Sequence, residues 1–216
     1  MGMVRLMKLE KIFIPLGMIG AVIYIAHTII GQILWPEYNP ITTDISSLTA
    51  NGAPNAGLLR IFTVIYGICT ILFVAGLINK AFRKYHSLVR IGYIILLLME
   101  ITSLFGYGLF PLTGDKTEMN LQNMMHIIVT VIVVFTTIAS GFFLAAGYLK
   151  QEKIKGLGKF TLVMAILITL FGSLNPVGMG LKLDILGLTE RMVIFSLQFM
   201  MFVLSFYYTF SKNEAL

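Results

Sequence analysis

The sequence predicts an all-α, polytopic transmembrane bundle of six helices with N- and C-termini cytoplasmic. Three observations carry that expectation. Hydrophobic residues make up 57% of the 216 positions and charged residues only 12%, with a mean hydropathy of +0.89, outside the range of soluble domains. Apolar runs long enough to cross a roughly 30 Å hydrocarbon core recur near residues 12–34, 58–79, 89–110, 124–149, 158–177 and 189–210. Basic residues alternate in density between the connections. Arg5, Lys8, Lys11, Lys80, Arg83, Lys84, Arg90, Lys150, Lys153, Lys155, Lys159 and Lys212 fall on one side of such a bundle, and only Arg60, Lys116, Lys182 and Arg191 on the other. Loops rich in Lys and Arg stay in the cytoplasm.

Each span has its own signature. The first follows Arg5, Lys8 and Lys11, is too long for a signal-peptide core and has no small-residue cleavage site, so it is expected to remain as a helix. The second holds Cys69, the chain's single cysteine, which excludes an intramolecular disulfide and a thiolate metal cluster. The third carries Glu100 in an apolar context, the fourth starts near His126, the fifth contains Pro176, and the sixth opens on Glu190 and Arg191 and continues to Gln198. The six runs leave little chain over, so residues 1–216 read as one membrane domain in the plasma membrane. The net charge of +6 does not imply nucleic acid as a partner, because the basic loops are short and suit anionic lipid headgroups instead.

The odd-numbered spans share a closing pattern. "GQILWP" places Gly31 five residues before Pro36, "GYGLFP" places Gly106 five before Pro111, and "GSLNP" places Gly172 four before Pro176. Proline lacks an N–H and clashes with the preceding turn, so these three exits are expected to kink or unwind. The pattern reads either as a threefold hairpin repeat or as independent helix stops.

Polar residues concentrate toward the same ends. His27, Glu100 and Gln198 lie within apolar runs, and His126, Arg60, Glu190 and Arg191 lie at run starts. A carboxylate near the bilayer centre costs roughly 2.5–3.5 kcal/mol or more, so Glu100 must face protein or a wet cleft. It reads as a functional acid, or as a protonated carboxyl tied to Gln198 or His27. His27, His126 and Asp44 are the candidates for a metal ion. With Glu100 they are also the candidates for acid–base chemistry. Arg60, Glu190, Arg191, Asp115, Gln198 and Ser46 are the candidates for holding a ligand. Together they describe an outward-facing polar pocket.

The first outer connection, "LWPEYNPITTDISSLTANGAPN", is more specified than a plain linker. Thr43 or Asp44 is placed to cap a short helix through Ser46–Ser47, and Gly52-Ala53-Pro54 turns the chain back, with Asn55 as a cap for the second span. Asp44 alternatively reaches His27 or His126 as an orienting carboxylate.

"YNPITTDISSLTANGAPNA", "LFPLTGD" followed by His126, and "GLTER" at 187–191 resemble the domain-of-unknown-function 998 family of six-span integral membrane proteins. The residues carrying the resemblance are Asp44, Ile45, Ser46, Leu48, Phe110, Pro111, Asp115, His126, Gly187, Glu190 and Arg191. It implies the six-span fold and draws attention to the outer loops, but it implies no substrate or cofactor.

The composition and placement leave a lipid-like or amphipathic ligand as the leading expectation, with membrane lipids as partners. A membrane-embedded, possibly metal-dependent hydrolase or transferase acting on lipid headgroups is the alternative, although no H-E-x-x-H or G-x-S-x-G motif is present. Haem bound by His27 and His126 is a weaker reading, since the two histidines differ in depth by more than a turn, and so is ion-coupled transport through Glu100, since no charged path continues to the cytoplasmic half.

Overall fold

The computed structural model describes residues 9–114, 118 and 120–211. Among them are six long helices: α1 Leu16–Ile33, α2 Ala56–Lys84, α3 Ser87–Leu109, α4 Leu121–Leu149, α5 Lys155–Gly180 and α6 Leu186–Phe210. All six are long and apolar enough to cross a membrane, the first counted from Leu9. There is no strand among the described residues. Backbone groups have no water to bond in hydrocarbon, so closed intrahelical pairing is the expected solution.

Each helix packs on its chain neighbours, and α6 returns to α1, so the six form a closed ring in sequential order. Short connections make consecutive helices antiparallel. One end of the ring carries the long 34–55 connection. The other carries the basic turns between α2 and α3 and between α4 and α5.

The ring closes where Pro15 interrupts the first helix. Around Pro15 the regular bond from the Met18 N–H to the Ile14 carbonyl is opened; the Ile14 carbonyl accepts instead from the Gly17 N–H at 3.3 Å and the Met18 N–H donates to the Pro15 carbonyl at 3.2 Å. Ser205 of α6 adds a second partner to each: its hydroxyl donates to the Ile14 carbonyl at 2.6 Å and accepts from the Met18 N–H at 3.0 Å. A serine thus sits inside the opened turn of its neighbour, one of the recognised ways a kink is satisfied. Close approach between α3 and α4 depends on small residues, as in many membrane helix pairs. A Cβ on Gly147 would stand 2.6 Å from the Val89 backbone nitrogen, so only glycine fits there.

The basic end is packed solid. Phe73, Leu77, Tyr93, Leu96, Leu144, Tyr148, Ile168, Met200 and Leu204 belong to one buried cluster. Its hydroxyls satisfy one another: Tyr208 donates to Tyr148 at 2.9 Å, and the Tyr148 and Tyr93 hydroxyls are themselves hydrogen-bonded. The Arg90 side chain caps α2 by donating to the carbonyls of Ala81 and Tyr85 at 3.2 and 3.1 Å, and Arg83 pairs with Glu10.

The helix exits differ from the threefold pattern. α1 ends at Ile33 before Pro36 and α3 at Leu109 before Pro111, but α5 runs through Pro176 to Gly180. A proline removes one hydrogen bond and crowds the carbonyl four residues back. Here that residue is Gly172, where the nearest neighbour to an added Cβ is Val193 at 3.9 Å, so the turn has space to adjust. The repeat is therefore shared by α1 and α3 only.

Candidate functional site

The 34–55 connection is strapped across its end of the bundle by α1, α2 and α6 and by the connection after α3. Tyr38, Ile45, Leu48 and Leu59 form a second buried cluster. The backbone N–H of Leu188 in α6 donates to the Ile41 carbonyl at 2.9 Å, and that of Asn51 donates to the Leu112 carbonyl at 2.7 Å. Arg60 of α2 grips the Thr49 carbonyl through Nε at 3.0 Å and Nη2 at 2.8 Å, and Nη2 also reaches Asn51 Oδ1 at 2.7 Å. Gly187 lets α6 approach the strap, since a Cβ there would lie 2.2 Å from the Thr43 carbonyl oxygen.

Arg191 is the main clasp. Its Nη1 donates to the carbonyls of Pro40, Thr43 and Gly187 at 2.8, 3.1 and 2.9 Å, and its Nη2 to the Tyr38 hydroxyl at 2.5 Å. Tyr38 in turn donates to the Asp44 carbonyl at 2.8 Å. Burial pushes the Tyr38 phenol up to about 12, against the opposing hydrogen bond and charge of Arg191, so it stays protonated and able to donate.

The short helix expected after Asp44 forms as a 3-10 turn over Ile45–Thr49, but the capping differs. Asp44 accepts from the Ser47 hydroxyl and from no backbone N–H of the turn. The Ile45 N–H donates to Glu190 Oε2 at 2.8 Å, and the Ser46 hydroxyl to Glu190 Oε1 at 3.3 Å. The acceptor that satisfies this turn therefore comes from α6, 145 residues along the chain. A 3-10 turn exposes its first N–H groups as an α-helix does, and a carboxylate held there gains from charge-assisted bonds. Asn55 likewise gives no side-chain cap to α2; it adopts φ 59° and its amide donates to the Leu34 carbonyl at 3.3 Å.

Beneath the strap lies a cavity of about 300 Å³. Ile45, Ser46 and Thr49 of the strap roof it, with Tyr24 and His27 of α1, Arg60 and Tyr66 of α2, Tyr107 of α3, His126 of α4 and Glu190 of α6 among its walls. His27 and Tyr24 are three residues apart and share a helix face, with ring centroids 5.4 Å apart. His27 is 1% exposed, and neither ring nitrogen has a hydrogen-bond partner among the described residues. The Tyr24 carbonyl one turn back is the backbone group that acts on the ring.

His126 is held differently. Its Nδ1 lies 2.8 Å from the Phe110 carbonyl, an acceptor only, so Nδ1 carries the proton. In the neutral ring that leaves Nε2 as the lone-pair nitrogen. Its ring is 4.9 Å from that of Tyr107, whose hydroxyl donates to Thr130 at 3.2 Å.

Glu100 lies deeper, outside the cavity lining. It is 1% exposed; Oε2 meets the Thr70 hydroxyl at 2.7 Å, and Oε1 has no partner among the described residues. Its companion is thus Thr70, not the expected Gln198 or His27. Gln198 donates through Nε2 to the Tyr66 hydroxyl at 2.8 Å. Of the residues expected at the pocket, His27, Ser46, Arg60, His126 and Glu190 line the cavity, while Asp44, Glu100, Arg191 and Gln198 stand behind its walls. Asp115 lies outside the described residues. Among the described residues no three of His, Cys, Asp and Glu gather closely enough to hold a metal ion, so His27, His126 and Asp44 do not form a shared ligand set.

Tyr24, Tyr66 and Tyr107 were absent from the sequence-based candidates. The signal available was helical spacing: Tyr24 to His27 is one turn, and Tyr66 to Thr70 is one turn toward Glu100.

No curated protein and no solved structure matches the chain. Residues 18–207 match a family described as protein of unknown function, DUF998. That match spans all six helices and the strapped cavity, and the chain belongs to the DUF998 family.

Proposed function

We propose that this protein binds a lipid-like or amphipathic molecule whose polar end occupies the cavity under the 34–55 strap, on the outer face of the plasma membrane. The supporting observation is His27. A buried polar group without a partner is destabilising by about 1–3 kcal/mol, and such groups are rare enough to need an explanation. His27 carries two such atoms on the wall of a polar cavity. A bound polar group offering a donor to one ring nitrogen and an acceptor to the other removes that penalty. The outward placement follows from the basic residues, which crowd the opposite end of the ring.

The walls also suggest what the polar end contains. Arg60 keeps Nη1 outside its contacts to the strap, whereas both oxygens of Glu190 are held by the Ile45 N–H and the Ser46 hydroxyl. A polar end that accepts hydrogen bonds from a guanidinium suits that wall. The test is native mass spectrometry of the detergent-purified protein and of His27→Phe. The wild type is expected to retain a small amphiphile and the variant to lose it. Equal retention by both would sink the proposal.

His126 favours one second reading, a membrane-embedded hydrolase or transferase acting on headgroups. A carbonyl-held Nδ1 leaves Nε2 suited to take a proton from an attacking hydroxyl or water. Headgroup turnover that survives His126→Gln would exclude it.

A further inference from the structure

Gln198 is placed where an amide has little reason to be. It sits about 18 Å along α6 from Leu186, at the floor of an apolar groove of about 470 Å³ between α1 and α6. The groove is walled by Val22, Ala26, Ile29, Phe195, Phe199 and Phe202. It faces outward from the ring, with Val22 58%, Ile29 51% and Phe199 53% exposed. Gln198 itself is 2% exposed; one end bonds Tyr66, and Oε1 has no partner among the described residues.

Tyr66 lines the polar cavity and Gln198 lines the apolar groove, so their hydrogen bond is part of the wall between the two. Along α6 the order is the same: Glu190 and Ile194 border the cavity, and Phe195 to Phe202 border the groove. The polar compartment therefore lies nearer the strapped end and the apolar one nearer the mid-plane. That is the arrangement of a lipid in the adjoining leaflet, headgroup outward and chain inward. Because the Tyr66 hydroxyl both gives and takes hydrogen bonds, the Gln198 amide can turn and present either N–H or carbonyl to the linkage between head and chain.

We infer that the ligand is a membrane phospholipid or a similarly chained amphiphile. It enters sideways between α1 and α6, with one acyl chain in the groove and its headgroup passing the Tyr66–Gln198 pair into the cavity. This rests on the binding reading above and adds the chain site, the ligand class and the route. A chain in the groove gains burial against three phenylalanines. Entry through the strap, by contrast, would have to break the contacts of Arg60, Arg191 and Glu190.

The test uses the full chain reconstituted in nanodiscs of phosphatidylethanolamine and phosphatidylglycerol, then extracted and examined by native mass spectrometry. Val22→Trp and Ile29→Trp fill the groove from exposed positions, where the fold tolerates bulk. Phe135→Trp, on an α4 residue 68% exposed, controls for general lipid contact. Wild type and Phe135→Trp are expected to retain phospholipid, and the groove variants to lose about tenfold in affinity. A second measurement needs no variant: dipalmitoyl phospholipid should displace the bound lipid far better than dihexanoyl, and water-soluble glycerophosphoethanolamine least. Retention unchanged in the groove variants, or indifference to chain length, overturns the inference while leaving the cavity reading in place. A wild type that retains neither phospholipid nor the soluble headgroup overturns both.

Discussion

Two groups of three tyrosines occupy opposite halves of the same ring of helices. At the basic end Tyr93, Tyr148 and Tyr208 point their hydroxyls at one another within a packed cluster of Phe, Leu and Met. At the strapped end Tyr24, Tyr66 and Tyr107 line a cavity, and two of their hydroxyls turn to side chains outside the trio, Gln198 and Thr130. Residue type is the same in both. What differs is whether the remaining volume is filled. In the first group every hydroxyl finds another and no polar atom is left over. In the second the surrounding wall includes a histidine with neither nitrogen bonded among the described residues. The first group holds the bundle together, and the second leaves a shaped polar space.

The sharpest way to break this comparison is to delete one hydroxyl from each group. Tyr148→Phe removes the hydroxyl that both Tyr93 and Tyr208 bond and leaves the buried cluster one hydrogen-bonding group short. It should cost about 1–3 kcal/mol, read as a lowered melting temperature in detergent. Tyr107→Phe should cost less than about 1 kcal/mol, because Tyr107 lines the cavity and its partner Thr130 keeps its own bond to the His126 carbonyl. Equal losses would show that the two halves are not energetically different. Next in size is Gly187→Ala, which drives a methyl into the Thr43 and Pro40 carbonyls. It should destabilise the strap by about 1–3 kcal/mol and expose the 34–55 segment to protease while the helices stay intact. A strap equally resistant in both proteins would mean that Gly187 is not a required contact. The smallest effect is expected for Glu100→Gln. An amide keeps the shape and the Thr70 contact, so stability should move by less than about 1 kcal/mol. A clear loss of ligand retention with the fold unchanged would instead give Glu100 a role beyond joining α2 to α3.

Much of this architecture was legible in the chain. Span number and approximate ends follow from local composition, because a helix in hydrocarbon satisfies its own backbone and needs only enough apolar length. The strapped loop was recognisable from its prolines and its Asp44-Ile45-Ser46-Ser47 run, and five cavity residues were named from their depth and polarity. Partner identity was not legible. Asp44 reads as the cap of its own turn, yet Glu190 takes the Ile45 N–H. Gln198 reads as a companion of Glu100, yet it bonds Tyr66. Arg191 and Arg60 look alike as arginines at helix starts, but Arg191 is consumed by the strap while Arg60 also borders the cavity.

What the sequence determined by itself is the set of elements, since hydrophobic length and proline positions act within a few residues. The ring decided the rest. Which face of each helix turns inward, and which hydroxyl meets which amide, depends on crossings set by contacts such as Gly147 against Val89 and Ser205 inside the Pro15 turn. Those contacts join residues far apart in the chain. A hydrogen bond is decided over about 3 Å, and only the packed bundle brings such pairs that close.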